Sequence, residues 1–379
     1  MFKKSLLAVA VLGTAAGFAC AADVTLYGIV DTGLLYQSNK VTVEGHEYVD
    51  DQTFGLESGV SSASRFGLKG TEDLGNGLKV GFKLENGFNA DDGSLGNGGR
   101  LFGREASLTV SGDFGALSMG RMGGIGSAAG TYDVVFSTAD AFDGGDNAIL
   151  GLAQSDRFDN MITYQTPKFA GVQGTFQYSF KQDNKDTEQK DRREGSAAVD
   201  RYASAALTGE FGALNTVLGY EFFNWSSNDD AGRWEQDDGH IVYLGGNYDC
   251  GFAKTFVMAQ YFKDTGLGNL LQNEDVIKTL DAEQNFKGYG LHLGTVVPVA
   301  GGDFTVGTYY VDAEYDFKDN FTPKADVKYF GLAAKYEYPL SKRTSVYTGA
   351  GYSQTKAELD VLDGKEKNTQ AYVGLTHKF

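Results

Sequence analysis

The chain alternates apolar and polar side chains with a period of two over most of its length, which is the pattern of β-strands with two different faces. Residues 61–88 show it on two strands joined by a turn: one face carries Phe66, Leu68, Val80, Phe82 and Leu84, and the other carries Arg65, Lys69, Lys79, Lys83 and Glu85. In VQGTFQYSF, residues 172–180, Val172, Phe176, Tyr178 and Phe180 face one way and Gln173, Thr175, Gln177 and Ser179 the other. The two faces of each strand must therefore meet two different environments.

The connections between these strands alternate in length. Short, turn-rich connections include GTEDLGNG, SGDFGA, TPKFAG, GEFGA, YDCG, VAGG and PLSKR. Long connections are expected at about 37–60, 90–100, 122–157, 181–198, 226–238, 263–285, 318–326 and 358–368. Seven short and eight long connections imply sixteen strands.

An even number of strands, with tight turns at one end and long polar loops at the other, is typical of an outer-membrane barrel. The pattern predicts an all-β fold, a 16-stranded antiparallel transmembrane β-barrel with short periplasmic turns and long extracellular loops. Lipid offers no partner to an unpaired strand edge, so the first strand, near Val24, should pair with the last, near Phe379. The apolar face then meets lipid, whereas Arg65, Lys69 and Lys83 face a lumen wide enough to hold water.

The ends and the charge of the chain agree with export. Residues 1–22 have the layout of a cleavable secretory signal, with Lys3 and Lys4 before an apolar run and small residues before Asp23. A lipidated Cys20 is the alternative, but GFAC lacks the aliphatic residue expected three places earlier. The remaining residues, 23–379, form one barrel domain with a single cysteine, Cys250, and hence no internal disulfide. Without the two signal lysines the net charge is 31 − 50 = −19, which argues against a nucleic-acid partner.

Several segments together carry a resemblance to a known family: DVTLYGIVDTG, SRFGLKGTEDLGNGLK, SGDFGALSMGR, YQTPKFAGVQG and the terminal YVGLTHKF. On these segments the chain resembles the trimeric general porins of Gram-negative bacteria, in particular the beta-proteobacterial type. The resemblance covers nearly all of residues 23–379. It implies an inward-folded third loop that narrows the pore and sets acidic loop residues opposite a basic wall.

The resemblance also implies which residues form this constriction. Arg65 and Arg121 match family positions of the basic wall, which Lys69, Lys83 and Arg157 could extend. The acidic side would come from Asp133, Asp140, Asp143 or Asp146, and the sequence does not choose among them. Glu105 shares its parity with Ser107 and Thr109, which points it inward, where some strongly anion-selective relatives carry an arginine. Strong anion selectivity is therefore not expected here.

The predicted function is a water-filled outer-membrane channel for passive diffusion of ions and small hydrophilic solutes, with no enzymatic activity and no cofactor. The chain is expected to form a homotrimer. Its other expected partners are the lipid bilayer with lipopolysaccharide and the outer-membrane assembly machinery. Val373, Leu375 and Phe379 resemble the carboxy-terminal signal read by that machinery. The alternatives are a loop-mediated adhesin or receptor on a barrel scaffold and a barrel enzyme. An enzyme would need a clustered nucleophile and base, whereas the four histidines are scattered.

Overall fold

The structure, a computed structural model, describes residues 23–147, 149, 151–186, 189, 191–226, 237–266, 286–315, 325–359 and 362–379. The expected signal segment, 1–22, lies outside the described residues. So do most of the connections expected at 226–238, 263–285 and 318–326. No helix in the described ranges is long and apolar enough to cross a membrane.

Within the described ranges, seventeen strands form one antiparallel sheet. They are β1 (Asp23–Val43), β2 (His46–Ser58), β3 (Arg65–Gly75), β4 (Leu78–Gly87), β5 (Glu105–Gly112), β6 (Gly115–Gly123), β7 (Arg157–Gln165), β8 (Val172–Ser179), β9 (Arg201–Phe211), β10 (Leu214–Asn224), β11 (Gly239–Asp249), β12 (Lys254–Thr265), β13 (Phe286–Val299), β14 (Gly302–Tyr315), β15 (Ala325–Pro339), β16 (Thr344–Leu359) and β17 (Leu362–Lys378). The loops that the structure describes contain two four-residue helical turns, α1 (Gly96–Gly99) and α2 (Phe136–Ala139).

The sheet closes on itself through β1. The first residues of β1, 23–29, pair with β3, whereas its residues 29–43 pair with β17 from Ile29 opposite Lys378 to Val43 opposite Gly364. Each strand from β4 to β16 pairs with the strand before it and the strand after it in sequence. Because β2 is not part of the wall, the other sixteen strands make a closed wall. The prediction of a 16-stranded antiparallel barrel with paired ends is confirmed.

The predictions of two long loops, at 37–60 and 358–368, were wrong. The segment expected as a loop at 37–60 is mostly strand, because β1 continues to Val43 and turns back as β2, pairing with it from Thr32 opposite Ser58. The loop expected at 358–368 is mostly β17, which begins at Leu362. The outer ends of the two hairpins, residues 44–53 and 362–368, are mostly polar, and a polar composition hides a strand from hydropathy.

The two faces of the wall differ as the alternation predicts. On β8 the outward Val172, Phe176 and Tyr178 are exposed, whereas the inward Thr175 and Gln177 are buried. The exposed outer side chains form the lipid-facing surface, and the inward polar residues line the lumen.

The third long loop, residues 124–156, folds into the lumen and packs on one half of the wall. Its apolar side chains Ile125, Val135, Phe136 and Leu152 join a buried cluster with inward-facing residues of β9 to β16. Those strands contribute Tyr202, Val217, Tyr243, Met258, Phe262, Tyr309, Val327, Tyr329 and Ala357, among others. The loop therefore fills one side of the lumen and leaves open the side bounded by β1 and β3 to β5.

Candidate functional site

A cavity of ≈ 420 Å³ lies on the open side of the lumen, against the loop edge. Its lining includes Lys69, Lys83, Glu105, Ser107, Thr109 and, from the loop, Thr131. Glu105 thus faces the lumen together with Ser107 and Thr109. Hydroxyls and charges surround this space, which suits hydrated solutes rather than apolar ones.

Glu105 joins the wall to the loop. The Lys83 Nζ donates to Glu105 Oε2 at 2.8 Å and lies 3.2 Å from the hydroxyl of Thr131. That hydroxyl lies 2.9 and 2.8 Å from the two carboxylate oxygens of Glu105. The ion pair offsets the charge of Lys83, and the hydroxyl of Thr131 ties this part of the loop to β4 and β5.

Above this pair lies a second carboxylate, Glu85, which the sequence analysis did not select. It accepts hydrogen bonds from Arg104 Nε and from the hydroxyl of Tyr27, each at 2.8 Å, and Lys83 Nζ lies 3.7 Å away. Arg104 is almost fully buried although strand parity would turn it outward. It was missed because alternation holds only inside a strand, and Arg104 precedes the first residue of β5.

Arg121 and Arg157 sit beside this group but are held by the wall. Arg121 Nη1 donates to Asp159 Oδ1 at 2.7 Å, and its Nε donates to the carbonyl of Gly103 at 2.9 Å. Arg100 approaches the other oxygen of Asp159 at 3.5 Å. Arg157 has Asp156 at 3.9 Å, and its buried Nε has no hydrogen-bond partner among the described residues. Arg121 is therefore neutralised locally, whereas Arg157 is only weakly paired.

Arg65 and Lys69 are the cations without a direct ion pair. Arg65 donates to the carbonyl of Ala63 at 3.2 Å and to the hydroxyl of Ser62 at 3.4 Å. The Nζ of Lys69 lies 5.2 Å from the ring centre of Tyr27, a cation–π contact. Within the described ranges, neither side chain has a carboxylate within 4.0 Å.

The four acidic loop residues divide into two pairs. Asp143 is exposed, and its charge lies within electrostatic range of Arg65. Asp133 shares a hydrogen bond with Asp143, and its pKa is raised well above the ordinary value, first by burial and then by the charge of Asp143. Both effects favour the neutral form of Asp133 over its charged form.

Asp140 instead anchors the loop to β13 and β14. Its Oδ1 accepts hydrogen bonds at 2.8 Å from the hydroxyl of Tyr309 and from the N–H of Phe142. His292 lies beside it, with Nε2 accepting from the N–H of Ala141 at 3.2 Å and Nδ1 3.1 Å from the carbonyl of Thr308. A carbonyl can only accept, so Nδ1 carries the proton and the imidazole is neutral. Burial raises the pKa of Asp140.

Asp146 makes the second anchor, on β17. Both of its carboxylate oxygens lie 2.8 Å from the hydroxyl of Tyr372, and Gln370 Nε2 donates to its backbone carbonyl at 2.9 Å. Burial raises the pKa of Asp146 to about 6. Of the four candidates, Asp140 and Asp146 face the wall and Asp143 faces the lumen.

A third anchor runs from the wall to the base of the loop. Glu221 on β10 is fully buried and accepts hydrogen bonds from the N–H of Gly126 at 3.1 Å and from the hydroxyl of Ser155 at 2.7 Å, which lie at the two ends of the loop. The hydroxyls of Tyr202 and Tyr243 also donate to it, at 2.5 and 2.8 Å. The sequence does contain a signal for this anchor, because Glu221 is an acidic residue on a strand face that otherwise carries Val217, Gly219 and Phe223.

The carboxy-terminal residues lie where the barrel closes. Val373, Leu375 and Phe379 face outward with exposed side chains. The backbone of Phe379 exchanges two hydrogen bonds of 3.0 Å with Gly28 on β1. A Cβ on Gly28 would lie 2.3 Å from the Phe379 ring, so this aromatic ring packs directly on the glycine.

A closed sixteen-stranded wall, apolar outside and half filled by one polar-edged loop inside, defines a membrane channel rather than an enzyme. The comparisons with known proteins agree. The model of the Gram-negative porin family matches residues 8–358. An outer membrane porin of Bordetella pertussis is 35% identical over 408 residues, and outer membrane porin protein 32 of Delftia acidovorans is 32% identical over 394; each alignment covers 100% of both chains.

Among solved structures, an anion-selective porin from Comamonas acidovorans superposes with a TM-score of 0.65 at 27% identity, covering 94% of this chain and 100% of that one. The chain belongs to the Gram-negative porin family. It is an outer-membrane porin, a channel for passive diffusion and not an enzyme. The predicted family, fold class, function and location are confirmed.

Proposed function

We propose that solutes cross the narrowest part of this channel between Arg65 and Lys69 on the wall and Asp143 on the loop. The observation that carries this proposal is that Asp143 is exposed on the inward-folded loop, whereas Arg65 and Lys69 on the wall are held only by neutral groups, Ala63, Ser62 and the ring of Tyr27. Opposed charges across a narrow wet gap set up a transverse field, which favours polar solutes over apolar ones.

The charges around the gap support a weak preference for anions. Arg65, Lys69 and the weakly paired Arg157 are wall cations without a close ion pair, whereas on the loop burial raises the pKa of Asp133 and so favours its neutral form. Glu105 offsets Lys83 at 2.8 Å, which removes one positive charge from the wall. The Comamonas relative is named as anion-selective. The Lys83 to Glu105 pair supports a smaller preference here.

Reversal potentials across a bilayer containing the purified porin would test this assignment. In a tenfold gradient of potassium chloride, whose two ions have similar mobility, the sign of the potential reports the preferred ion directly. Potassium acetate and lithium chloride then separate preference from mobility. A cation preference in potassium chloride would contradict the proposed charge balance, and an apolar solute passing as fast as a polar one of the same size would contradict the transverse field.

The assembly is also a proposal. A Vibrio cholerae outer membrane protein, which shares the fold at 16% identity, is described in a trimer form. We propose that this porin is a homotrimer whose subunit contacts include outward residues of the first and last few strands. Native mass measurement that found only monomers at every protein concentration would rule this out.

Residues 1–22 are proposed to be a signal removed before Asp23, leaving the barrel domain 23–379. The outward Val373, Leu375 and Phe379 support recognition by the outer-membrane assembly machinery, and the exposed apolar wall supports contact with lipid and lipopolysaccharide. Amino-terminal sequencing of the membrane form tests the first proposal, since retained Lys3 would contradict cleavage.

A further inference from the structure

The pairing of β1 is interrupted where its partner changes from β3 to β2. Ile29 lies opposite Arg65 on β3, and Thr32 lies opposite Ser58 on β2. Residues 30 and 31 of β1 are therefore set against six residues of the partner side, 59–64, with the sequence GVSSAS. Extra residues on one side of a paired ladder cannot stay in its plane and protrude from it. We call residues 59–64 the inner bulge.

The inner bulge protrudes into the lumen. Its Val60 is 4% exposed and packs in a small buried cluster with inward residues of β1, β16 and β17, namely Leu35, Tyr347 and Tyr372. From β15, the Nζ of Lys335 donates to the hydroxyl of Ser61 at 3.2 Å. A second segment besides the third loop thus folds into the barrel, next to β1.

Asp31 holds the inner bulge to the wall. It is fully buried, and its Oδ1 accepts hydrogen bonds from the N–H of Ser61 at 3.2 Å and from the hydroxyl of Tyr347 at 2.7 Å. Its Oδ2 accepts a hydrogen bond from the hydroxyl of Thr376 on β17. The hydroxyl of Ser64 accepts from the backbone N–H of Asp31 at 3.1 Å and donates to its carbonyl at 3.0 Å. These contacts supply the partners that the interrupted ladder does not, and a buried backbone group needs them.

The inner bulge also carries the charge of Arg65. Arg65 is the first residue of β3 and follows the bulge directly. Its guanidinium donates to the carbonyl of Ala63 at 3.2 Å and to the hydroxyl of Ser62 at 3.4 Å. Both acceptors belong to the bulge, so the position of this charge depends on the bulge rather than on the regular part of the strand.

We propose that Asp31 is a positioning residue for the ion selectivity of the channel, because through the inner bulge it holds the guanidinium of Arg65 at the gap. The inference rests on the proposed role of Arg65 in the gap. Asp31 bonds to β16 and β17 on the inner face of the barrel, so it contacts neither the solute nor a neighbouring subunit. When this anchor is lost, the bulge and the guanidinium can move away from the gap, which lowers the preference for anions.

Two variants release the inner bulge to different degrees. Asp31→Ala removes all the side-chain contacts of the anchor, to Ser61, Tyr347 and Thr376. Ser64→Ala is milder, because it removes only the hydroxyl that bonds to the backbone of Asp31. If Asp31→Ala does not fold, Ser64→Ala decides the test.

Two further variants are the controls. Asp31→Asn keeps an Oδ1 that accepts from Ser61 and Tyr347, and its new amide can donate to the hydroxyl of Thr376, which is able to accept. Ser204→Ala, on β9, makes the same chemical change as Ser64→Ala at another buried serine, whose hydroxyl donates to Gln177 at 3.0 Å.

Reversal potentials in potassium chloride gradients, across bilayers containing each purified porin, provide the measurement. Asp31→Ala and Ser64→Ala should raise the ratio of cation to anion permeability, by up to the about threefold change expected at physiological salt when the Arg65 charge is lost. In an Arg65→Gln background the same two changes should leave the ratio as it is, because the charge that they displace is gone. Asp31→Asn should not raise the ratio. Ser64→Ala and Ser204→Ala should both lower the urea midpoint, but only Ser64→Ala should change the ratio.

Three outcomes would overturn the inference. Equal shifts with and without Arg65 would mean that Asp31 does not act through this guanidinium. A shift towards anions from both Asp31→Ala and Asp31→Asn would mean that Asp31 acts through its own charge. No shift from Asp31→Ala or Ser64→Ala, although Arg65→Gln shifts the ratio, would leave the proposed function standing without this positioning role. If Arg65→Gln itself leaves the ratio unchanged, both the proposed function and the inference fail.

Discussion

Replacing Arg65 by glutamine removes the one guanidinium of the gap that has no ion pair, and the structure allows the effect to be worked out. An ion passing about 6 Å from that charge in water interacts with it by about 0.7 kcal/mol before screening. Removal favours cations and disfavours anions by the same amount, so the permeability ratio changes by twice this energy. With a Debye length of about 8 Å the ratio of cation to anion permeability should rise about threefold, and at about 30 Å, in 0.01 M salt, about sevenfold.

The assay is the reversal potential in salt gradients at two mean ionic strengths, with three matched variants. Arg65→Lys keeps the charge and should keep the ratio. Arg193→Gln removes a charge from the exposed fourth long loop and should leave the ratio almost unchanged. Arg121→Gln should shift selectivity less than Arg65→Gln, because Asp159 keeps Arg100 at 3.5 Å, but should cost about 1–3 kcal/mol of stability by breaking a half-buried pair.

The reasoning would be refuted by either of two results. Equal shifts from Arg65→Gln and Arg193→Gln would mean that the whole surface charge, rather than the gap, sets the preference. A shift that does not shrink as salt rises would mean that the charge acts on the loop position rather than on ions in water.

Three further predictions concern the loop anchors and the closure. Asp146 has a pKa of about 6 in the folded protein against an ordinary value of 3.8, so the folded state binds a proton more tightly than the unfolded state. The free energy of unfolding should therefore fall by on the order of 3 kcal/mol as pH rises from about 4 to about 6. Asp146→Asn should flatten that slope in urea titrations in detergent. Glu221→Gln keeps one acceptor oxygen where the carboxylate has two, so the hydroxyl of Tyr243 loses its acceptor when the N–H of Gly126 keeps its own, and the change should cost about 1–3 kcal/mol, seen as faster proteolysis of the loop and noisier single-channel currents with an intact barrel. Gly28→Val should displace the Phe379 ring, and heat-shifted gel mobility should show less folded protein than for Gly55→Ala, where an added Cβ meets only Glu57 Oε1, at 3.6 Å.

The barrel could be predicted from the sequence because lipid imposes a strict rule on the outward face. Every second residue of a spanning strand must be apolar, and the turns must fall at regular intervals, as in the clean alternation of residues 172–180. This rule does not apply to the parts of the strands that extend beyond the membrane into water. The β1 and β2 hairpin and the top of β17 were therefore mistaken for loops, although their backbones pair as regularly as the rest.

Only part of the constriction could be predicted from the sequence, for a different reason. Parity inside a strand placed Glu105 and Lys83, but it could not place Arg104, which lies one residue before β5 and turns back to Glu85 at 2.8 Å. Nor could it choose among the loop aspartates. Their roles depend on which wall tyrosines stand opposite, and those tyrosines lie more than 160 residues away in sequence, as Tyr309 does from Asp140.

The position of the third loop follows from the inner faces of the strands that it covers. Tyr243, Met258 and Phe262 point inward on β11 and β12, where an open aqueous lumen would leave them wet. Apolar residues on both faces of a barrel strand therefore indicate that something covers the inner face. Between these apolar contacts the loop is held by buried carboxylates, each supplied with hydroxyl donors from tyrosines on the wall. Burying a carboxylate without such donors would raise the free energy of the folded state, so each carboxylate favours the one loop position in which its donors are within reach. Apolar packing thus holds the loop against the wall, and Glu221, Asp140 and Asp146 determine where along it the gap opens.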